Sequence, residues 1–96
     1  MKLKKNLKKL RESILQSKVI RHFELIGWYV VKIIQCNKNG MPDLMILKDG
    51  KTFFIECKAE KGRLSELQKY RHEQLEEQGF RVYTIYKMDE IKFITK

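Results

Sequence analysis

Asp49-Gly50 sits between two apolar runs, Leu44 to Lys48 and Lys51 to Ile55. This dipeptide is a strong signal for a two-residue hairpin turn. Such a turn sets the register of both strands. Lys48 then faces Lys51, and the residue numbers of every facing pair sum to 99. Asp43 and Glu56 are one such pair. The turn therefore predicts two carboxylates directly opposite one another, with Cβ atoms about 4.5–5.5 Å apart. Like charges so placed destabilise a strand pair, and a divalent cation is the simplest agent to offset the repulsion. Lys58 lies two residues beyond Glu56 and projects from the same strand face. Two acids and a lysine on one sheet face are the equipment for metal-dependent phosphodiester hydrolysis.

The rest of the chain supplies a frame for this hairpin. Residues 7–26 read as a helix stopped by Gly27 as its C′ glycine. Residues 28–35, dense in aromatic and β-branched side chains, read as a strand. A loop from Cys36 to Met41 leads to hairpin strands near 43–48 and 51–58, apolar on both faces and so expected inside the sheet. Ser65-Glu66-Leu67-Gln68 fits the capping box S-x-x-Q, opening a helix that runs to Gln78 and stops at Gly79. Arg81 to Tyr86 alternates like a strand, and Ile91 to Ile94 reads as a last short one. The expected order is αβββαβ plus a small terminal strand: an α/β fold with a mixed central sheet flanked by helices. Ninety-six residues make one domain, residues 1–96, with 1–11 as a basic N-terminal helical extension.

Charge narrows the partners. The formal net charge is +9, and residues 1–24 hold eight Lys or Arg against Glu12 and Glu24. A basic end of this kind points to a polyanion, most often nucleic acid; a solvated helix face is the plainer alternative. Cys36 and Cys57 lack zinc-finger spacing and read as reduced thiols of an intracellular protein. No apolar run approaches 18 residues, and the basic start has no signal-peptide core, so no membrane span and a cytoplasmic location are expected.

Each candidate site residue has a functional and a structural reading. Asp43 follows Pro42, whose ring stiffens the chain entering the strand; it would serve as a metal ligand or as an ordinary turn aspartate. Glu56 interrupts a run of large apolar groups, where a carboxylate must be paired or ligate a metal. Lys58 would stabilise charge developing on a phosphate, or orient the attacking water; otherwise it is Glu56's ion-pair partner. Oxygen ligands favour Mg²⁺ or Mn²⁺ over zinc. The Cys57 side chain points to the opposite face as core, while its backbone carbonyl is placed as a further oxygen ligand. Glu12 shares a helical stripe with Leu15, Gln16, Val19, Phe23 and Ile26, the residues expected to face the sheet. It would complete the metal site, hold a water there, or pair with a cation at the helix edge. Gln68 faces inward with Leu64 and Leu75, toward the phosphate or Lys58, and also serves the capping box. His72, at the edge of that face, reads as a bystander, and His22 has weaker claims still. Lys4, Lys5, Lys8, Lys9, Arg11, Lys61 and Arg63 are candidate DNA-phosphate contacts, which position a duplex without reading it. Trp28 and Tyr29 read as core before base stacking; Tyr70 is a further candidate for stacking on bases.

These residues resemble a known family. Pro42-Asp43, a twelve-residue gap and Glu56-Cys57-Lys58 are similar to the PD-(D/E)XK nuclease signature. Glu12 with Gln16, Gly40-Met41-Pro42-Asp43-Leu44, Ile55-Glu56-Cys57-Lys58, Gly62-Arg63-Leu64-Ser65 and Gln68 resemble the VRR-NUC branch, as found in stand-alone phage and prophage nucleases, over roughly residues 12 to 90. The resemblance implies Mg²⁺ or Mn²⁺ on Asp43, Glu56 and the Cys57 carbonyl, a catalytic Lys58, a supporting Glu12, and Gln68 at the site. It also implies a homodimeric DNA endonuclease, selective for branched DNA such as a Holliday junction, that needs no small-molecule cofactor. The competing expectation is a non-catalytic nucleic-acid-binding protein on a nuclease-like fold. A Gln-x-x-x-Tyr helix motif of related branches has His72 at its last position here, which removes a tyrosine contact to substrate.

Overall fold

The computed structural model describes residues 2–95, with side chains from Asn6 to Thr95. Helix α1 spans Lys2–Leu25 and takes in the basic start of the chain without a break. Neither Gly nor Pro interrupts those residues. Gly27, at φ +93, turns the chain out of the helix. Trp28 N–H reaches back to Phe23 O (2.9 Å) and Gly27 N–H to Glu24 O (3.1 Å), the bonding of a Schellman motif. The apolar contact that accompanies this cap is the edge-to-face pair of Phe23 and Trp28.

Strand β1 is Tyr29–Lys32, β2 is Leu44–Lys48 and β3 is Lys51–Cys57. Helix α2, Glu66–Glu77, leads to β4, Arg81–Ile85. The sheet order is β1-β2-β3-β4, antiparallel except for the parallel β3–β4 pair. Hairpin and turn follow the sequence expectation: Asp49 and Gly50 both take positive φ (51 and 78), and the register runs from Lys48↔Lys51 to Leu44↔Ile55.

The core lies between α1 and one sheet face. Leu15, Val19 and Phe23 meet Leu44, Ile46, Ile55, Cys57 and Ile85 there. Burying such side chains contributes roughly 1.5–3 kcal/mol each. Phe54 and Glu56 alternate to the other face, under α2, where Phe54 meets Phe80 edge to face.

Three expectations need correction. The first strand covers four residues rather than eight, because after Ile33 N–H bonds Asp43 O (2.8 Å) the chain leaves the sheet for the loop. Tyr29 is 73% exposed, since it sits on edge strand β1 pointing away from Trp28, which packs beside Phe23 and Phe53. The terminal strand is instead a 3₁₀ helix, Met88–Phe93. Met88, Ile91 and Ile94 recur every third residue and turn together onto the core, which suits a three-residue turn and not a two-residue strand period. Glu90 fixes its start by accepting the N–H groups of Tyr86 (2.5 Å) and Lys87 (3.2 Å).

Candidate active site

Asp43 is the residue just before β2 begins. Its carbonyl is committed to β1 through Ile33 N–H, and the preceding Pro42 is fully buried, so the backbone here is fixed on both sides. Its side chain turns toward β3, where Oδ2 accepts the Cys57 N–H at 2.8 Å. Glu56 stands next in register beyond Leu44↔Ile55, on the face away from α1. It is 2% exposed. The Asp43 carboxyl is pushed up to about 7, first by burial, then by a hydrogen bond with Glu56 and by the Glu56 charge. The Cys57 N–H and the Lys58 charge pull the other way and lose. Two carboxyls that tend to share a proton attract a cation for the same reason.

Lys58 is half-buried and locked at the end of β3, its N–H donating to Ile85 O on β4 at 2.9 Å. That bond also fixes which way Cys57 faces. Backbone groups alternate sides along a strand, so Cys57 turns its N–H and C=O toward the β2 side. There the N–H takes Asp43. In continued register the C=O would meet position 42, and Pro42 has no N–H to offer it. The Cys57 thiol is wholly buried on the core face, and burial followed by the charges of Asp43, Glu56 and Glu12 pushes it up, so it is inert packing. Both cysteines are free.

Glu12 projects from the same α1 stripe as Leu15 and reaches past the end of β3, where Oε2 accepts the Ala59 N–H at 3.2 Å. Its carboxylate therefore ties α1 to the strand that carries Glu56 and Lys58. Gln68 closes the capping box: its N–H donates to Ser65 Oγ (3.1 Å), and its Oε1 accepts the Ser65 N–H (2.9 Å).

His72 is the residue that sequence reasoning set aside. It is 7% exposed, and its Nε2 lies 3.3 Å from Glu56 Oε1. The available signal was its place one helical turn after Gln68, over a strand whose buried glutamate needed a partner. Beside it, Arg71 donates from Nε to Asn39 O at 2.7 Å, holding α2 to the loop that delivers Asp43.

The cations divide. Lys8, Arg11 and Lys61 line one open pocket of about 420 Å³ with Leu7, Ala59 and Glu60, next to the N–H that Glu12 holds. Lys9 and Arg63 are exposed outside it. The side chains of Lys4 and Lys5 lie outside the described residues.

Among the described residues no three His, Cys, Asp or Glu side chains gather closely enough to enclose a metal. The side-chain donors are two carboxylates, and the Cys57 carbonyl would face Pro42 in continued register. That set is hard and all-oxygen. It fits Mg²⁺ or Mn²⁺, which take one or two carboxylates and fill the rest of their shell with water and substrate oxygens. It does not fit a closed structural zinc site.

A mixed four-stranded sheet between two helices, with opposed carboxylates at the mouth of its central hairpin, defines a nuclease-like α/β domain. The chain belongs to the VRR-NUC family: the VRR-NUC domain family model matches residues 1–88, so the basic first turns of α1 fall inside the family's span rather than outside it. A solved structure titled VRR_NUC domain superposes with a TM-score of 0.78 at 25% identity, covering 90% of this chain and 98% of that one. No curated protein matches the chain.

Proposed function

We propose that the chain is a Mg²⁺- or Mn²⁺-dependent DNA endonuclease, with Asp43, Glu56 and the Cys57 carbonyl holding the ion and Lys58 acting on the scissile phosphate. The observation that carries this reading is the Asp43–Glu56 juxtaposition. Burial and a neighbouring carboxylate hold Asp43 near neutrality instead of in the usual carboxylate range. A protein that only bound DNA phosphates would gain nothing from two acids at the contact. The ion would polarise the phosphoryl oxygen and acidify the attacking water.

The protein groups supply position. Lys58 brings a fixed positive charge to the face of β3 that carries Glu56, suited to the charge that builds on the phosphate oxygens. Glu12 keeps the loop after β3 against α1. Lys8, Arg11 and Lys61 are suited to backbone phosphates flanking the cut. Branched DNA is the proposed substrate, and a homodimer the proposed working form, because two symmetric sites suit paired cuts at a junction.

Glu56→Gln keeps the shape of the site and removes one ionic ligand. The expected result is loss of cleavage of branched DNA in Mg²⁺ with binding retained by gel shift. Undiminished cleavage by the variant sinks the site assignment. Binding without cleavage by the wild type, in either metal, favours a DNA-binding scaffold.

A further inference from the structure

We propose that His72 is a positioning residue that fixes the carboxylate of Glu56, presenting it to the metal ion in one orientation. The inference rests on the metal-dependent reading above and adds a residue to it.

Glu56 is a buried carboxylate, and an ionised carboxylate only accepts hydrogen bonds. A Glu56 that ligates a metal ion is ionised, so the 3.3 Å contact from His72 Nε2 to Glu56 Oε1 would then place the hydrogen on Nε2. The ring is itself buried. It touches Glu56 and not the reacting atoms, so it acts through that residue. A carboxylate with one oxygen held cannot rotate freely, which leaves its other oxygen as the one available to a metal ion. A hydrogen bond from a neighbouring residue of this kind orients a metal ligand and typically changes metal affinity 10–100-fold.

The ring is held rigidly enough to do this. Its helix starts at the Ser65–Gln68 capping box, one turn earlier. The adjacent Arg71 grips Asn39 O at 2.7 Å and Gln74 Oε1 at 2.9 Å. Consecutive residues of α2 thus reach both carboxylate-bearing segments: His72 takes Glu56 on β3, and Arg71 takes the loop that ends in Pro42-Asp43. Among the described residues no buried side-chain nitrogen or oxygen lacks a hydrogen-bond partner, and for Glu56 Oε1 that partner is His72.

The test compares two substitutions of similar shape that differ in donor capacity. Mn²⁺ binding to the full chain without DNA is measured by electron paramagnetic resonance for wild type, His72→Gln and His72→Met. The expected result is binding 10–100-fold weaker in His72→Met, with His72→Gln within a few-fold of wild type. Equal affinities for the two variants overturn the proposal. A second readout needs no variant at the site: histidine ¹⁵N spectra of the wild type, assigned with a His22 variant, should show the Nε2–H form of His72 before and after Mg²⁺ addition. The Nδ1–H form overturns the proposal. If the wild type binds no Mn²⁺, the metal-dependent reading fails and the proposal with it. If it binds and the variants do not differ, only the proposal fails.

Discussion

Asp43 and Glu56 oppose one another because Asp49-Gly50 has an even number of turn residues. One residue more would have sent Glu56 to the other side of the register. That parity is visible in the sequence, which is why the pair was legible before any coordinates. Its electrostatic consequence is testable. The Asp43 carboxyl, ordinarily near 3.8, titrates at about 7 in the fold, chiefly through burial. A group raised in this way contributes its stability fully below about pH 3.8, and that stability is lost as pH rises to about 7. In metal-free protein, Asp43→Asn removes this dependence. Its melting temperature relative to wild type should therefore climb between pH 4 and pH 8; a difference that stays flat would contradict the burial of an ionisable Asp43. His72 was not legible for a reason of equal simplicity. The inward face of α2 is readable from Leu64, Gln68 and Leu75, but which side chain at that face meets Glu56 depends on how the helix is rotated on the sheet, and packing alone decides that.

Elements set that rotation. Gly40 takes φ +85, and a Cβ there would stand 2.8 Å from Leu67 Cγ and 3.2 Å from the Leu67 backbone. The loop before Asp43 therefore lies directly on the first turn of α2, with Arg71 fastening it from the next turn. Gly40→Ala should cost about 1–3 kcal/mol by overpacking and by its positive φ. Because the same contact places Asp43 and His72, Mn²⁺ affinity should fall with it. Urea denaturation beside Mn²⁺ titration checks both, and unchanged stability would mean that the loop is free of α2. Ser65→Ala loses a reciprocal cap and should cost about 1 kcal/mol. The capping box was readable because its four residues are adjacent in sequence. The final 3₁₀ helix reads as a strand in sequence because Ile91 and Ile94 are β-branched. Only the burial of Met88, Ile91 and Ile94 as one stripe decides between them.

The whole molecule is a strongly basic domain of net charge +9. Binding to DNA should therefore weaken steeply with salt, with a log–log slope of about −0.9 per phosphate contacted. Lys8→Ala and Arg11→Ala together should flatten that slope by roughly two contacts if both side chains of their shared pocket meet phosphate. An unchanged slope would move the DNA path off that end of α1. A homodimer is expected at micromolar concentration by light scattering, and a monomer would contradict two coordinated cuts by one assembly. No helix among the described residues is long and apolar enough to cross a membrane. The most direct test of the central claim is cleavage of a panel of duplex, flap and junction DNAs in EDTA, Mg²⁺ or Mn²⁺, with wild type beside Lys58→Ala. Products that require the metal and fall about 10²–10³-fold in the variant are expected. Products that persist in EDTA, or that Lys58→Ala makes as fast as wild type, would contradict a metal-dependent nuclease built on Asp43, Glu56 and Lys58.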